Sequence, residues 1–461
     1  MDTTISDIEQ GRRSRGAINL FGECRVRRFE YFYMVVMVIY MAQMTGSTSR
    51  MVGSLSGNPI PLLLPMALTV VLLLRNHISW GCKHLWLLTG ISGIWSVAIL
   101  VKYNILGVTQ EWSYYFFLYY AIFIAYIHVR VYGRTLFPLF EHIMVWLCKI
   151  AVVMWVLNIL FYHTGIFNGL EETGLGRNLC YLYQWQTPDK WKPDTYSFTL
   201  RNAGCSWEPG RFAIMVLLAS YVNLSRCGIR FRKNRGIWWL LAALFSTQST
   251  TGYSIVLIMY ALFYINRFTL KTSLGFFAII IPVTVLMSRA EFMEEKITVQ
   301  LQDVNETQSL YQAMEWNARH IYLEGEYAGS LDRFTSIFFE WQNLQNDPIL
   351  GYGRNKNHSF FHKNVTTNYV LTGGIVKTLA QYGIIFGLFI YSLLFVSSRR
   401  ISRAQGQSRD YILLIVTLLS SISYPVWCTP VFTSFWLYGV FCRSPRGAAL
   451  SQASHATVQA E

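Results

Sequence analysis

The sequence predicts an all-α fold, a polytopic membrane helix bundle of about twelve transmembrane helices with two long, partly helical outer loops, and three observations predict it. The first is composition. Hydrophobic residues make up 53% of the chain, charged residues only 14%, and mean hydropathy is +0.30. Soluble domains carry about 25% charged residues. The second is a series of long apolar runs, and the third is the placing of basic residues in the short segments between them.

A helix needs about 20 mostly apolar residues to cross a hydrocarbon core of about 30 Å. Runs that meet or approach this length are 29–45, 59–75, 84–101, 113–129, 143–162, 211–224, 236–248, 251–267, 272–288, 372–397, 410–425 and 429–442. The seventh and eighth share one stretch, split by Ser-Thr-Gln-Ser-Thr-Thr-Gly at 246–252.

Alternating these runs from an inside N-terminus puts 23 of the 39 Lys and Arg residues in cytoplasmic segments. Short outer loops hold only Arg50 and Lys102. That asymmetry favours both termini in the cytoplasm, since basic residues are retained on the inner side. It also accounts for the net charge of +14 without a nucleic acid partner. No cleavable signal pattern precedes the first run. The expected organisation is a cytoplasmic segment 1–28, a single integral membrane domain 29–443 and a small, polar cytoplasmic tail 444–461.

Two segments are too long for simple connections, 163–210 and 289–371, and both fall outside. Loops of this length are usually functional or disordered, and their Trp, Tyr and Phe content argues for order. The first holds Cys180 and Cys205. An oxidising exterior permits a bridge between them, and two unpaired thiols is the alternative. The second carries Leu331, Phe334, Ile337, Phe338, Trp341 and Leu344 at three- and four-residue steps, which predicts a helix with one apolar face. Pro348 and Gly351 stop it, and Gly351-Tyr-Gly-Arg354, His358 and His362 follow. Lys149, inside the fifth run, can snorkel to the nearby cytoplasmic end.

Arg201–Ala213, Arg-Asn-Ala-Gly-Cys-Ser-Trp-Glu-Pro-Gly-Arg-Phe-Ala, closes the first long loop and enters the sixth run. It delivers Arg201, Glu208 and Arg211 to the membrane surface. The stretch resembles the Arg–Gly–(Asn/Glu)-Pro approach to a span in the superfamily of O-antigen ligases and Wzy-type polysaccharide polymerases. Three further stretches resemble that superfamily in the same order. Ser249-Thr-Thr-Gly252 is similar to its Ser-x-Gly turn. Arg333 followed by Asp347-Pro-Ile-Leu-Gly-Tyr-Gly353 is similar to its Arg–helix–Pro-x-x-Gly-x-Gly loop. Ala380-Gln-Tyr-Gly-Ile-Ile-Phe-Gly387 is similar to the start of the span after that loop. Family ligases carry a His upstream of this last motif, where this chain has Thr372, and that departure favours the polymerase branch.

The resemblance implies a bacterial inner-membrane glycosyltransferase. Its donor is an oligosaccharide linked through diphosphate to a polyprenyl lipid, and its partners are that donor, membrane lipids and a chain-length regulator protein. Neither cofactor nor metal is expected. The bond broken joins sugar to phosphate, so negative charge grows on the lipid diphosphate. Guanidinium is always charged and binds phosphate oxygens in pairs. Arg201, Arg211, Arg333 and Arg354 are the candidate substrate-binding residues on this reading. A base for the acceptor hydroxyl adds about 10²–10⁴-fold; the candidates are Glu208, then His358 and His362. Each has a plainer reading: Arg201 as a solvated loop residue, Arg211 and Glu208 as an anchor or ion pair, Arg333 as a surface charge. Tyr181, Tyr183, Trp185, Trp191 and Trp207 are candidates for stacking on sugar rings or for anchoring at the interface.

Transfer of a finished glycan to a different acceptor is the first alternative. Transport of lipid-linked units is the second, although transporters tend to show repeated halves with broken helices meeting at mid-membrane. A cytoplasmic nucleotide-sugar glycosyltransferase lacks any sizeable inner domain.

Overall fold

The structure is a computed structural model and describes residues 17–20, 24–43, 60–104, 109–166, 169, 172–173, 176–186, 200–228, 234–264, 333–353, 355–360, 363, 374–407, 409–424 and 426–442. It is mostly helical. A short antiparallel hairpin, β1 (Ala17–Leu20) and β2 (Cys24–Arg27), leads directly into α1 (Arg28–Gln43). There follow α2 (Ile60–Arg75), α3 (Lys83–Lys102), α4 (Thr109–Tyr132) and α5 (Leu136–Leu160). The first long loop holds β3 (Glu172–Thr173), β4 (Gly176–Leu179) and β5 (Tyr183–Trp185), paired antiparallel in that order. Then come α6 (Pro209–Cys227), α7 (Arg235–Ser246), α8 (Thr250–Tyr264), α9 (Arg333–Asn346), α10 (Ile375–Ala404), α11 (Ile412–Ser423), α12 (Pro430–Trp436) and α13 (Tyr438–Phe441). Helices overlie every apolar run except 272–288, which lies outside the described residues.

Three helical runs among the described residues are long and apolar enough to cross a membrane: Lys83–Lys102, Leu118–Leu160 and Ile375–Ala404, of 20, 43 and 30 residues. The second is broken by a 3-10 turn at Gly133–Thr135, where Gly133 takes a φ of +48°. The outward faces are apolar. On α3, Trp86, Leu87, Val97 and Val101 are exposed and Ile94 is 74% exposed, while Ser92 and Ser96 are buried. The same outward pattern holds at Val70 and Leu74 of α2, Val153 and Leu160 of α5, and Ile385 and Leu388 of α10. Soluble monomers rarely expose contiguous apolar patches of this kind. Such an exterior suits hydrocarbon as the solvent.

Helix α6 is the axis of the bundle. Pro209 occupies its first turn, where a missing N–H costs nothing. Every residue from Pro209 to Ser225 is buried, as expected of a helix surrounded by others. It packs on α5, α7, α8, α11 and α1. The split between α7 and α8 is a real corner. Gln248 takes a φ of +48°, and the Ser249 hydroxyl accepts the Gly252 N–H at 3.2 Å. A Cβ at Gly252 would lie 3.1 Å from the Cβ of Ala213, so the small residue lets α8 approach α6 closely.

Contacts sort the helix ends into two poles. At one, the ends of α1, α3, α5, α7 and α11 meet the starts of α6, α8 and α10 through bonds such as Gln43 Nε2 to the Cys205 carbonyl (2.7 Å) and Ser423 Oγ to Thr251 Oγ1 (3.4 Å). At the other, Arg226 makes a two-pronged bond to Glu141 (3.0 and 2.8 Å), which Asn223 also donates to at 2.7 Å. Glu141 is 0% exposed, a buried carboxylate with its charge and lone pairs met. There too Gln407 bonds the Ser225 carbonyl, and Arg409 the Leu262 carbonyl. Lys149 is half-exposed, with its Nζ 4.4 Å from the centre of the Trp146 ring.

Candidate functional site

The segment 201–211 is built onto the ends of neighbouring helices. Asn202 is fully buried. Its Nδ2 donates to Ser246 Oγ (2.8 Å) and the Ala151 carbonyl (3.2 Å), and its Oδ1 accepts the Gly204 N–H (2.8 Å). Gly204 has a φ of +52°, and a Cβ there would sit 2.5 Å from the Phe212 ring, so only glycine fits. The last carbonyls of a helix lack partners within it. Those of α1 are met from this segment: the Ser206 hydroxyl donates to Ala42 (3.0 Å) and the Arg211 guanidinium to Met41 (2.9 Å). A cation at a helix C-terminus is also favoured by the macrodipole.

Arg211 therefore sits deeper than the sequence suggested. It is 4% exposed, and its Nε has no hydrogen-bond partner among the described residues. Arg201 is half-buried and donates from Nε to the Thr247 carbonyl at the end of α7 (3.3 Å). Glu208 caps α6 by its backbone only, and its half-buried carboxylate makes no ion pair with Arg211 among the described residues. Cys180 and Cys205 are both free thiols. Burial pushes the Cys205 thiol up to about 12, which leaves it inert.

The second assembly joins the loop after α9 to a break in α10. Gly383 takes φ +76° and ψ +164° inside that helix. The break frees carbonyls, and three donors from elsewhere take them up. Tyr352 N–H bonds Ala380 (3.0 Å), Gly353 N–H bonds Gln381 (2.9 Å), and Trp95 Nε1 on α3 bonds Tyr382 (2.8 Å). In return the Ile384 N–H bonds the Pro348 carbonyl at 2.8 Å. The fit leaves no room for side chains: a Cβ at Gly383 would fall 1.8 Å from the Ile349 carbonyl oxygen, and one at Gly351 2.5 Å from that of Ala380.

Helix α9 forms where expected, and its apolar residues divide between exposed and buried positions. Phe338 and Trp341 are exposed, whereas Ser336, Phe339, Glu340, Asn343 and Leu344 are buried. The buried polar side chains find partners inside. Glu340 is 0% exposed; it accepts from Asn343 Nδ2 (3.1 Å) and from the Tyr352 hydroxyl (3.2 Å). Burial holds its carboxyl above the usual range, and Lys377 partly offsets this. The sequence did offer a signal, Glu340 and Asn343 three residues apart on one helix face, but the apolar pattern masked it.

A third group surrounds the end of α3. The Tyr103 hydroxyl donates to Asp347 Oδ2 (2.6 Å) and the Gly351 carbonyl (3.1 Å), and Lys102 pairs with Asp347. His358 stacks on the Tyr103 ring at 4.4 Å between centroids and 11° between planes, with the Lys102 and Lys363 ammonium groups 5.0 and 5.7 Å from the same ring centre. Burial, and then Lys363, lower the His358 imidazole from its usual value, so it is neutral at neutral pH. Its Nδ1 is buried without a hydrogen-bond partner among the described residues.

Two base candidates thus fall in different groups, Glu208 beside Arg211 and His358 beside Tyr103. Arg333 starts α9, but its side chain lies outside the described residues, as do Arg354 and His362 entirely. Among the sugar-stacking candidates, Tyr183 and Trp185 are buried in β5 and cannot offer a ring face; Tyr181 is exposed, Trp207 is half-buried, and Trp191 lies outside the described residues. Among the described residues, no three His, Cys, Asp or Glu side chains converge as metal ligands would.

The fold and its apolar exterior define a helical chain with membrane-crossing elements. Comparison with protein-family models and with curated proteins finds no match.

Proposed function

We propose that this chain is a polymerase that joins polyprenyl-diphosphate-linked repeat units of a surface polysaccharide at the outer face of a bacterial inner membrane. In this reading about twelve spans cross the bilayer and both termini are cytoplasmic. The observation that carries the proposal is pairwise docking of the four stretches that suggested the family. The segment at 201–213 locks onto the 246–252 corner, through Asn202 to Ser246 and Ala213 against Gly252. The Pro-x-x-Gly-x-Gly turn locks into the break at Gly383. All four belong to the same pole.

The chemistry is displacement at the anomeric carbon of the donor. The acceptor hydroxyl forms a new C–O bond, the sugar–phosphate bond breaks, and the lipid diphosphate leaves with the electron pair. Arg201, Arg211, Arg333 and Arg354 receive its growing charge, where fixed donors act most strongly. Glu208 or His358, with His362 as a further candidate, takes the hydroxyl proton. A neutral imidazole at neutral pH suits that task.

The test is incubation of the purified protein with a defined lipid-linked oligosaccharide, without nucleotide or added metal. A ladder of products is expected. Single transfer to a different acceptor points instead to ligation, and no new glycosidic bond points to transport; either result overturns the polymerase reading.

A further inference from the structure

At the opposite pole the structure holds a cavity of about 430 Å³ between the loop after α2, the end of α4 and the end of α13. This lies within the size range of small-molecule sites, about 300–1,000 Å³. Arg130, Arg134 and His77 line it together with Asn76 and Ser79, and no Asp or Glu does among the described residues. Neither arginine has an ion-pair partner among the described residues. Three other arginines of this pole do meet a carboxylate: Arg226 pairs with Glu141, and Arg399 and Arg403 share Asp410.

The walls are held in place. The Tyr126 hydroxyl donates to the Ser79 carbonyl, Trp80 stacks on the Tyr126 ring at 5.9 Å, and the Arg130 guanidinium lies 5.8 Å from the same ring centre. Two lining residues take left-handed backbone, His77 at φ +44° and Gly133 at φ +48°. For His77 that conformation is strained and persists only where the surroundings enforce it. Two full positive charges outweigh the partial negative charge, about half a unit each, at the C-termini of α2 and α4.

We infer that this cavity binds a phosphate group, presented by the headgroup of an anionic lipid in the adjacent leaflet. Basic pockets between helix ends recognise such headgroups by guanidinium–phosphate bonds. The site is far in sequence from the candidate catalytic groups and stands independently of the proposed reaction.

The experiment uses the full chain in detergent, with native mass spectrometry and thermal melting as readouts. Phosphatidylglycerol is compared with phosphatidylcholine, and inorganic phosphate and pyrophosphate form separate arms. The wild type should retain phosphatidylglycerol in preference, and R130Q/R134Q should weaken that retention roughly tenfold or more. R399Q/R403Q, which removes the same charge elsewhere at this pole, should retain it. Should the double variant fail to fold, R134Q alone, at an exposed side chain, carries the comparison. Protection by soluble phosphate without lipid preference keeps the phosphate site and overturns its lipid source. Equal retention by wild type and R130Q/R134Q, or equal loss in the control, overturns the site.

Discussion

Arg211 carries two duties that a single substitution can separate. One amino group of its guanidinium closes the end of α1 through the Met41 carbonyl, while Nε is uncommitted among the described residues. R211A should lose a charge-assisted bond worth about 1.5–3 kcal/mol and abolish chain extension. R211K keeps the charge but loses the planar fork. It should still insert and melt near the wild type, yet extend chains about 10²–10³-fold more slowly. Normal polymer length and amount in R211K would remove Arg211 from the reaction. Glu340 gives a residue-level prediction about pH. Its native carboxyl lies above its ordinary value of 4.5. Between the unfolded and native values the folded chain therefore binds more protons, and stability falls as pH rises through that window. In E340Q that decline should flatten. Melting midpoints of both proteins across mildly acidic pH check it, and parallel profiles would contradict the assignment.

At the scale of elements, the joint between the α9–α10 loop and the broken α10 depends on two backbones touching. G383A must displace the Ile349 carbonyl and hold alanine at positive φ. A loss of about 1–3 kcal/mol is expected from the backbone alone, with release of the 348–353 turn. Thermal melting and protease sensitivity near Gly351 measure the two effects; an unchanged midpoint would mean that the turn is not anchored by the break. This joint also marks where sequence reading stops. The motif at 380–387 was visible as letters, and so was the turn at 347–353. Their pairing was not, because a left-handed glycine is stable here only through carbonyls and N–H groups more than twenty residues away in the chain. On α9 the periodicity showed an apolar face but not what that face meets: Phe338 and Trp341 are exposed, while Leu344 is buried. Strands β1–β5 went unnoticed because runs of two to four residues show no usable alternation.

For the whole molecule, the sorting of helix ends into two poles gives a direct topological test. Ser79 and Asn357 are exposed at opposite poles. On the proposed orientation, a cysteine at Asn357 should react with a membrane-impermeant maleimide added to intact cells, and one at Ser79 only after permeabilisation. The reverse pattern would place the arginines in the cytosol and end the polymerase proposal. The sequence by itself determined which segments become helices, since the apolar content of a run is a local sum that no distant contact needs to complete. Only the tertiary structure decided that Arg211 is sunk against α1, that Glu340 turns inward, and that α10 breaks to accept a loop. Each of these places a polar group away from water, and such a group is stable only where a partner from another part of the chain meets it.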